Sequence, residues 1–229
     1  MRIYSWLLGI LFVLASCAPR QPAITLFPPA VAPVQTEQCA AVYPHGKWQF
    51  VHLITFFMPG GRQGTAIGVS VIDKGAIRAA LMTVEGFTLF AASFDGRLKI
   101  TRAVPPFDKP GFGRRLMRDL RLIFLSPPGD NVQYGKLADG SALCRYREVS
   151  GQSTDIILLP ARRWEIKQYN SKHREIRTIE AWPQEYGMRR ISGNHKLVKQ
   201  WRPPKRMELQ ARGSVSYRLK MELISSQKL

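Results

Sequence analysis

Apolar and polar residues alternate along much of the chain, and Gly, Pro and Asp interrupt the alternation about every 8 to 12 residues. Near the C-terminus, Val215, Tyr217, Leu219, Met221 and Leu223 alternate with polar residues. This period of two predicts a strand with one apolar and one solvated face. The same reasoning predicts about 11 antiparallel strands, drawn from the candidate segments 48–57, 64–72, 76–84, 87–94, 97–103, 143–149, 154–159, 164–169, 175–182, 186–191, 197–201, 207–211 and 215–224.

One segment between the two groups of strands has a helical period instead. Residues 113–125 place Leu116, Leu120, Ile123 and Phe124 on one face, with arginines opposite, and prolines follow at once. This pattern predicts an amphipathic helix. Such a helix packs either on the protein's own sheet, which is the commoner arrangement, or on an anionic membrane surface.

Together these elements predict a mainly β fold. A sheet of this size must curl, so we expect a strongly curved antiparallel sheet, a half-open barrel, with the helix covering its concave side as a lid. An interior of Phe, Leu, Val and Met side chains either packs solid or encloses a cavity that holds an acyl chain. The pattern leaves both open.

The N-terminus has the order of a secretory signal, with Arg2, an apolar run and then small residues. The run is too short for a spanning helix, which needs about 20 apolar residues. Its end, Leu14-Ala15-Ser16-Cys17, resembles the bacterial lipobox, in which the cysteine receives a diacylglyceryl group. We therefore predict that residues 1–16 are removed and that Cys17 is lipid-anchored. In an ordinary signal peptide, Cys17 would be incidental.

Residues 17–46 are rich in proline and show no strand or helix period. They predict an extended tether of some tens of ångströms, at ~3 Å per residue, in front of a domain at 47–229. Two further cysteines follow, Cys39 and Cys144. In an oxidising compartment they either form a disulfide or remain two buried thiols.

The net charge of +18 favours a polyanionic partner. Because the chain is predicted to be exported, phospholipid, lipopolysaccharide phosphate or an acidic protein surface fits better than nucleic acid. A basic surface kept only for solubility is the alternative.

The sequence predicts no catalytic or metal site. The four histidines are scattered, no Gly-x-Ser-x-Gly elbow occurs, and residues 58–64 lack the Lys-Ser/Thr ending of a phosphate-binding loop. We therefore expect neither an enzyme nor a cofactor.

Three stretches are informative together, namely residues 81–89, residues 125–130 with Tyr134, and residues 204–209 with Gly213 and residues 217–221. They resemble LolB, the outer-membrane lipoprotein that receives other lipoproteins from the soluble carrier LolA and inserts them in the membrane. The chain is also similar to LolB-related lipoproteins of aryl-polyene-type lipid pathways. Ala18, where an aspartate would favour inner-membrane retention, agrees with an outer-membrane location facing the periplasm.

The resemblance implies a LolA/LolB-like half-open barrel whose hydrophobic cavity binds acyl chains. It implies a lipid or lipoprotein cargo, possible exchange with a soluble LolA-like carrier, a monomeric state and no cofactor. The side chains expected on the cavity wall are Phe50, Ile67, Val69, Leu81, Leu89, Leu116, Leu120, Ile123, Phe124, Tyr217, Leu219 and Met221.

The family presents a leucine to the membrane on one loop, but the matching loop here reads Val84-Glu85-Gly86. Burying an acid is costly, so we expect Phe56, Phe57 and Met58 to contact the membrane together with Val84. In the alternative, the aromatic residues belong to the core of an ordinary hairpin.

Two functions follow from these observations. The first is an outer-membrane-anchored protein that accepts an acyl-chain-bearing cargo and helps to deliver it to the membrane. The second is a structural lipoprotein that transports nothing and whose basic surface docks an acidic envelope partner.

Overall fold

The computed structural model describes residues 19–28, 37–128, 131–184, 201–213 and 215–229. One 13-stranded antiparallel sheet dominates it. The strands are β1 (Thr25–Leu26), β2 (Trp48–Phe57), β3 (Gln63–Asp73), β4 (Ala76–Met82), β5 (Thr88–Phe94), β6 (Leu98–Ala103), β7 (Asn131–Lys136), β8 (Ala142–Arg147), β9 (Ser153–Leu158), β10 (Trp164–Tyr169), β11 (Glu175–Trp182), β12 (Arg206–Ala211) and β13 (Tyr217–Lys228). Helix α1 (Phe112–Phe124) lies between β6 and β7 in the chain.

The strand order is β1-β7-β8-β9-β10-β11-β12-β13-β2-β3-β4-β5-β6. The last strand therefore pairs with the first long strand, and β1 and β6 are the two edges of an open sheet. Single-turn helical segments occur at Pro59–Gly61 and Pro160–Arg162. No helix within the described ranges is long and apolar enough to cross a membrane.

Eleven of the 13 strands coincide with predicted segments. Strands β1 and β7 were not predicted, because the first has only 2 residues and the second lacks a clear alternation. The strand predicted at 186–191 and most of the one predicted at 197–201 lie outside the described residues.

Helix α1 lies on the concave face of the sheet. Its last residue, Phe124, stacks on Phe50 of β2 with ring centroids 5.0 Å apart. Gly113 near its start lies against Ile100 and Phe90, since a Cβ at this position would be 2.7 Å from the Ile100 side chain. The helix therefore spans the concave side close to the sheet, as expected for a lid packed on its own protein.

The segment predicted as a tether is part of the folded domain over its described residues. The Pro19 carbonyl accepts a hydrogen bond from the Glu175 amide at 3.0 Å, and the Gln21 amide donates to the His173 carbonyl at 3.0 Å. The chain then crosses the outer face of the sheet and adds β1 to the edge of β7. Paired backbone groups replace the free extended chain that the prolines suggested, so the predicted boundary at residue 47 is wrong.

Residues 37–46 lie on the concave side. Cys39 and Cys144 form a disulfide with their Cα atoms 6.3 Å apart, so the first of the two alternatives holds. Val42 and Tyr43 are buried in the same core as Trp48. The described residues that precede β2 therefore cover β8 and its neighbouring strands on both faces of the sheet.

Candidate functional site

An apolar cavity of about 160 Å³ lies between the first half of α1 and the concave face of the sheet. It is placed towards the end of the sheet that carries the β2–β3 and β12–β13 hairpins. Its wall is formed by Ile54, Phe56, Met58, Ala66, Leu81, Pro106, Phe107, Phe112, Arg115, Leu116, Asp119, Val215, Tyr217 and Leu219. Only two of these side chains carry a charge.

Strand β3 makes room for this cavity because its inward positions are small. Gly64, Ala66 and Gly68 pair with inward residues of β2. A Cβ at Gly68 would be 2.4 Å from the Ile54 Cδ1 atom, so the Ile54 side chain lies directly over the glycine. Gly64 accommodates the Phe56 ring in the same way. Larger side chains at these positions would have to displace the β2 residues.

Four side chains predicted for the cavity line it, namely Leu81, Leu116, Tyr217 and Leu219. Five others are buried in the packed core rather than on the cavity wall, namely Phe50, Leu120, Ile123, Phe124 and Met221. That Leu81, Leu116, Tyr217 and Leu219 contact a lipid stays a prediction.

Ile67, Val69 and Leu89 do not face the cavity, and their assignment to it is wrong. Successive residues of a strand point to opposite faces, and the buried position next to Ile67 is Ala66. Leu89 lies next to the fully buried Phe90 and faces the other way. Size misled the prediction here, because next to the cavity β3 keeps its small residues inside and its larger ones outside.

The side chains of the hairpin that was expected at the membrane point in different directions. Phe56 and Met58 line the cavity. Phe57 points to the outer face, where the Arg218 guanidinium lies 4.5 Å from its ring centroid. Val84 is 65% exposed on the neighbouring β4–β5 hairpin, so only part of the predicted loop presents apolar side chains outward.

The end of the sheet nearest the cavity carries further exposed apolar side chains. Met58, Val84, Phe87 and Val215 are all exposed there. The Arg102 guanidinium lies 4.9 Å from the Phe87 ring centroid. Apolar tips and cations therefore occur together around the cavity, a combination that suits an anionic lipid interface.

Asp119 of α1 is buried to 2% exposure at the cavity wall. Its Oδ1 atom accepts a hydrogen bond from Arg177 Nε on β11 at 2.7 Å, and the Tyr217 hydroxyl of β13 donates to its Oδ2 atom. Burial raises the pKa of Asp119, and the Arg177 guanidinium opposes this shift. These contacts tie the helix to two strands.

This ion pair is not among the sites predicted from the sequence. A signal was present, since Asp119 lies three residues after Leu116 and one before Leu120 on the apolar face of the predicted helix. Its partner Arg177 gave no such signal. Arg177 points inward from its strand, and its role in the core depends on the helix that lies above that strand.

His52 is a second buried polar residue on the concave side, at 3% exposure. Its ring centroid lies 6.2 Å from the rings of both Phe50 and Phe124. Burial lowers the pKa of His52 to about 4, so the imidazole is neutral at pH 7. Across the described part of the chain, no group of three or more His, Cys, Asp or Glu side chains is placed to hold a metal ion.

The fold is similar to that of a LolA superfamily protein from Nitrosomonas europaea, with a TM-score of 0.51 at 10% sequence identity over 86% of this chain and 93% of that one. An outer membrane lipoprotein-sorting protein domain of Vibrio parahaemolyticus has a TM-score of 0.45 at 9% identity over 85% and 90%. A DUF1329 family protein of Desulfovibrio piger has a TM-score of 0.45 at 10% identity over 85% and 90%.

No family model matches the sequence, and no curated protein matches it. The similarity to the first structure concerns the fold alone. The predicted LolA/LolB-like open sheet with a covering helix is therefore confirmed.

Proposed function

We propose that this chain is a lipid-handling lipoprotein, anchored in the outer membrane through Cys17, that takes an acyl chain of a lipid or lipoprotein into the cavity beneath α1. The carrying observation is the apolar cavity between a helix and a concave sheet. The LolA-like fold supports the same function. Transfer of this kind needs only burial and release of the chain, without a covalent step.

The driving force would be the removal of methylene groups from water, worth ~0.8 kcal/mol each. A cavity of about 160 Å³ has the size of one that holds a benzene-sized molecule. A long acyl chain therefore fits only if α1 moves away from the sheet. Leu116 would then be exchanged for cargo, while the contacts of Asp119 with Arg177 and Tyr217 would limit the movement.

Delivery would take place at the end of the sheet that carries Met58, Val84, Phe87 and Val215. These apolar tips and the nearby arginines would contact an anionic lipid surface, with the cavity opening beside it. A soluble LolA-like carrier would supply the cargo, and the protein would act as a monomer.

Filling the cavity tests the proposal. Ala66 is fully buried on its wall, so Ala66→Leu would occupy the space that an acyl chain needs. Ala80 is the matched control, because it lies on the outer face opposite Val69. We expect Ala66→Leu to lose at least about tenfold in affinity for the uncharged probe N-phenylnaphthylamine, measured by fluorescence, and Ala80→Leu to bind as the unmodified protein does.

If the unmodified, folded protein takes up no probe, the carrier function is wrong. The competing function, a structural lipoprotein that docks an acidic partner through its basic surface, would then be preferred. The anchor is tested separately. Cys17→Ser should abolish fatty-acid labelling and release the protein from membranes, and unchanged membrane retention without label would contradict the anchoring.

A further inference from the structure

The cavity wall is apolar except for two charged side chains, and these differ in their partners. Asp119 is neutralised, since both of its oxygen atoms accept hydrogen bonds from Arg177 and Tyr217. Arg115, one turn earlier on α1, forms none of the ion pairs found among the described residues. The wall therefore offers one cation whose charge no carboxylate of the described chain offsets.

Arg115 occupies the position where a polar head would lie. It is half-buried on the first turns of α1, which begins at the end of the sheet that carries the exposed apolar tips. Its Nη1 atom lies over the start of the helix, 3.1 Å from where a Cβ of Gly111 would be. Beyond it the wall continues with Leu116, Leu81 and Leu219. A chain in the cavity would thus have its tail among leucines and its head beside a guanidinium.

We propose that the cavity selects single-chain amphiphiles with an anionic head group, and that Arg115 binds that group. A guanidinium presents paired donors that match the oxygen atoms of a carboxylate or a phosphate. Asp119 does not oppose this, because Arg177 compensates its charge from behind the wall. The inference rests on the proposed function and narrows its cargo from acyl chains in general to acyl chains with a negative head.

Three ligands with the same twelve-carbon tail and different heads test the inference. Laurate carries a carboxylate, dodecyl phosphate a phosphate, and dodecanol no charge. Each is used to displace N-phenylnaphthylamine from the purified protein carrying Cys17→Ser. We expect both anions to bind about tenfold more tightly than dodecanol, as for a charge-assisted hydrogen bond at a partly exposed site, and their order indicates which head group is preferred.

The variants separate Arg115 from the general positive charge. Arg115→Gln should remove the difference between the anions and dodecanol, and Arg115→Lys should retain most of it. Arg118 is the matched control, because it lies one turn further along α1 and is exposed. Arg118→Gln should preserve the preference for anions.

The outcomes distinguish the two proposals. If the probe enters but the three ligands bind equally, or if Arg115→Gln and Arg118→Gln behave alike, the head-group inference is overturned and the acyl cavity stands. If no probe enters the folded protein, the carrier function fails and the inference with it.

Discussion

The two halves of the sheet are constructed differently. Over β8 and β9 both faces are covered, the outer one by residues 19–24 and the inner one by the segment that carries Cys39. A buried ion pair, Arg145 with Asp155, lies under this covering, with Nε to Oδ1 and Nη2 to Oδ2 distances of 2.7 Å. Pro22 contributes its carbonyl as a third partner.

Over β2, β3 and β4 the concave face is only partly filled. The inward residues Gly64, Ala66 and Gly68 of β3 are small, and the helix above them leaves a cavity. Asp119 links that helix to β11 and β13, and the buried apolar side chains of its second half, such as Phe124, hold it on the core. The half with β8 and β9 therefore stabilises the domain, whereas the half with β2, β3 and β4 is packed less completely and contains the cavity.

Removing the disulfide should have the largest effect on stability. It closes a loop of 105 residues, for which the loop-entropy model gives about 4.8 kcal/mol. We expect Cys39→Ala with Cys144→Ala to lower the free energy of unfolding by that amount, measured by urea denaturation. Probe uptake at low urea should persist, because the cavity is in the other half. A loss of uptake without a loss of stability would contradict this division.

Arg145→Met should cost about 4 kcal/mol, because it leaves the carboxylate of Asp155 buried without its partner. Asp155 is 0% exposed, so water cannot replace the guanidinium. Thermal unfolding of the variant measures the loss. Adding Asp155→Leu should recover most of it, and Arg147→Met, on the exposed neighbour, should change little. An equal loss in both single variants would show that the buried pair is not the cause.

Acidification should weaken the domain through His52, whose ring lies beside that of Phe124. Its folded pKa is lowered from 6.5 to about 4, so the unfolded chain binds a proton first as the pH falls. Stability should therefore decrease between pH 6.5 and about 4, by about 3 kcal/mol in total. Urea midpoints measured across this range test the loss, and His52→Phe should flatten the slope. An unchanged slope in the variant would exclude His52 as its source.

Asp119→Asn should have the smallest effect on stability, about 1 kcal/mol, because it replaces charge-assisted hydrogen bonds by neutral ones while removing a buried charge. Its main effect should be kinetic. With the helix held less firmly, the probe should enter faster in stopped-flow fluorescence. Asp95→Asn, on an exposed hairpin, is the control. Equal rates in the two variants would mean that Asp119 does not restrain α1.

The sequence predicted the secondary structure well where the period was regular. Strands β2, β10 and β11 begin and end at the predicted residues, because their alternation stops at strong turn signals. Strand β1 could not be found in this way. It has 2 residues, and only its pairing with β7 makes it a strand.

The cavity was harder to predict than the fold. Its existence depends on which face of β3 points inward, and a shift of one residue exchanges Ala66 and Gly68 for Ile67 and Val69. Hydrophobicity alone predicts that the larger side chains, Ile67 and Val69, point inward. The close approach of Ile54 to Gly68 decides the matter, and such a contact between strands is absent from a single-sequence pattern.

The backbone hydrogen bond of Pro19 has a consequence for orientation. It holds the chain at the start of β11, at the same end of the sheet as the cavity. Two residues span at most about 7 Å, so a lipid anchor on Cys17 would hold the domain close to the membrane surface. With the anchoring proposed above, the end of the sheet that carries the cavity would face the bilayer, because so short a connection would not let the domain reorient freely.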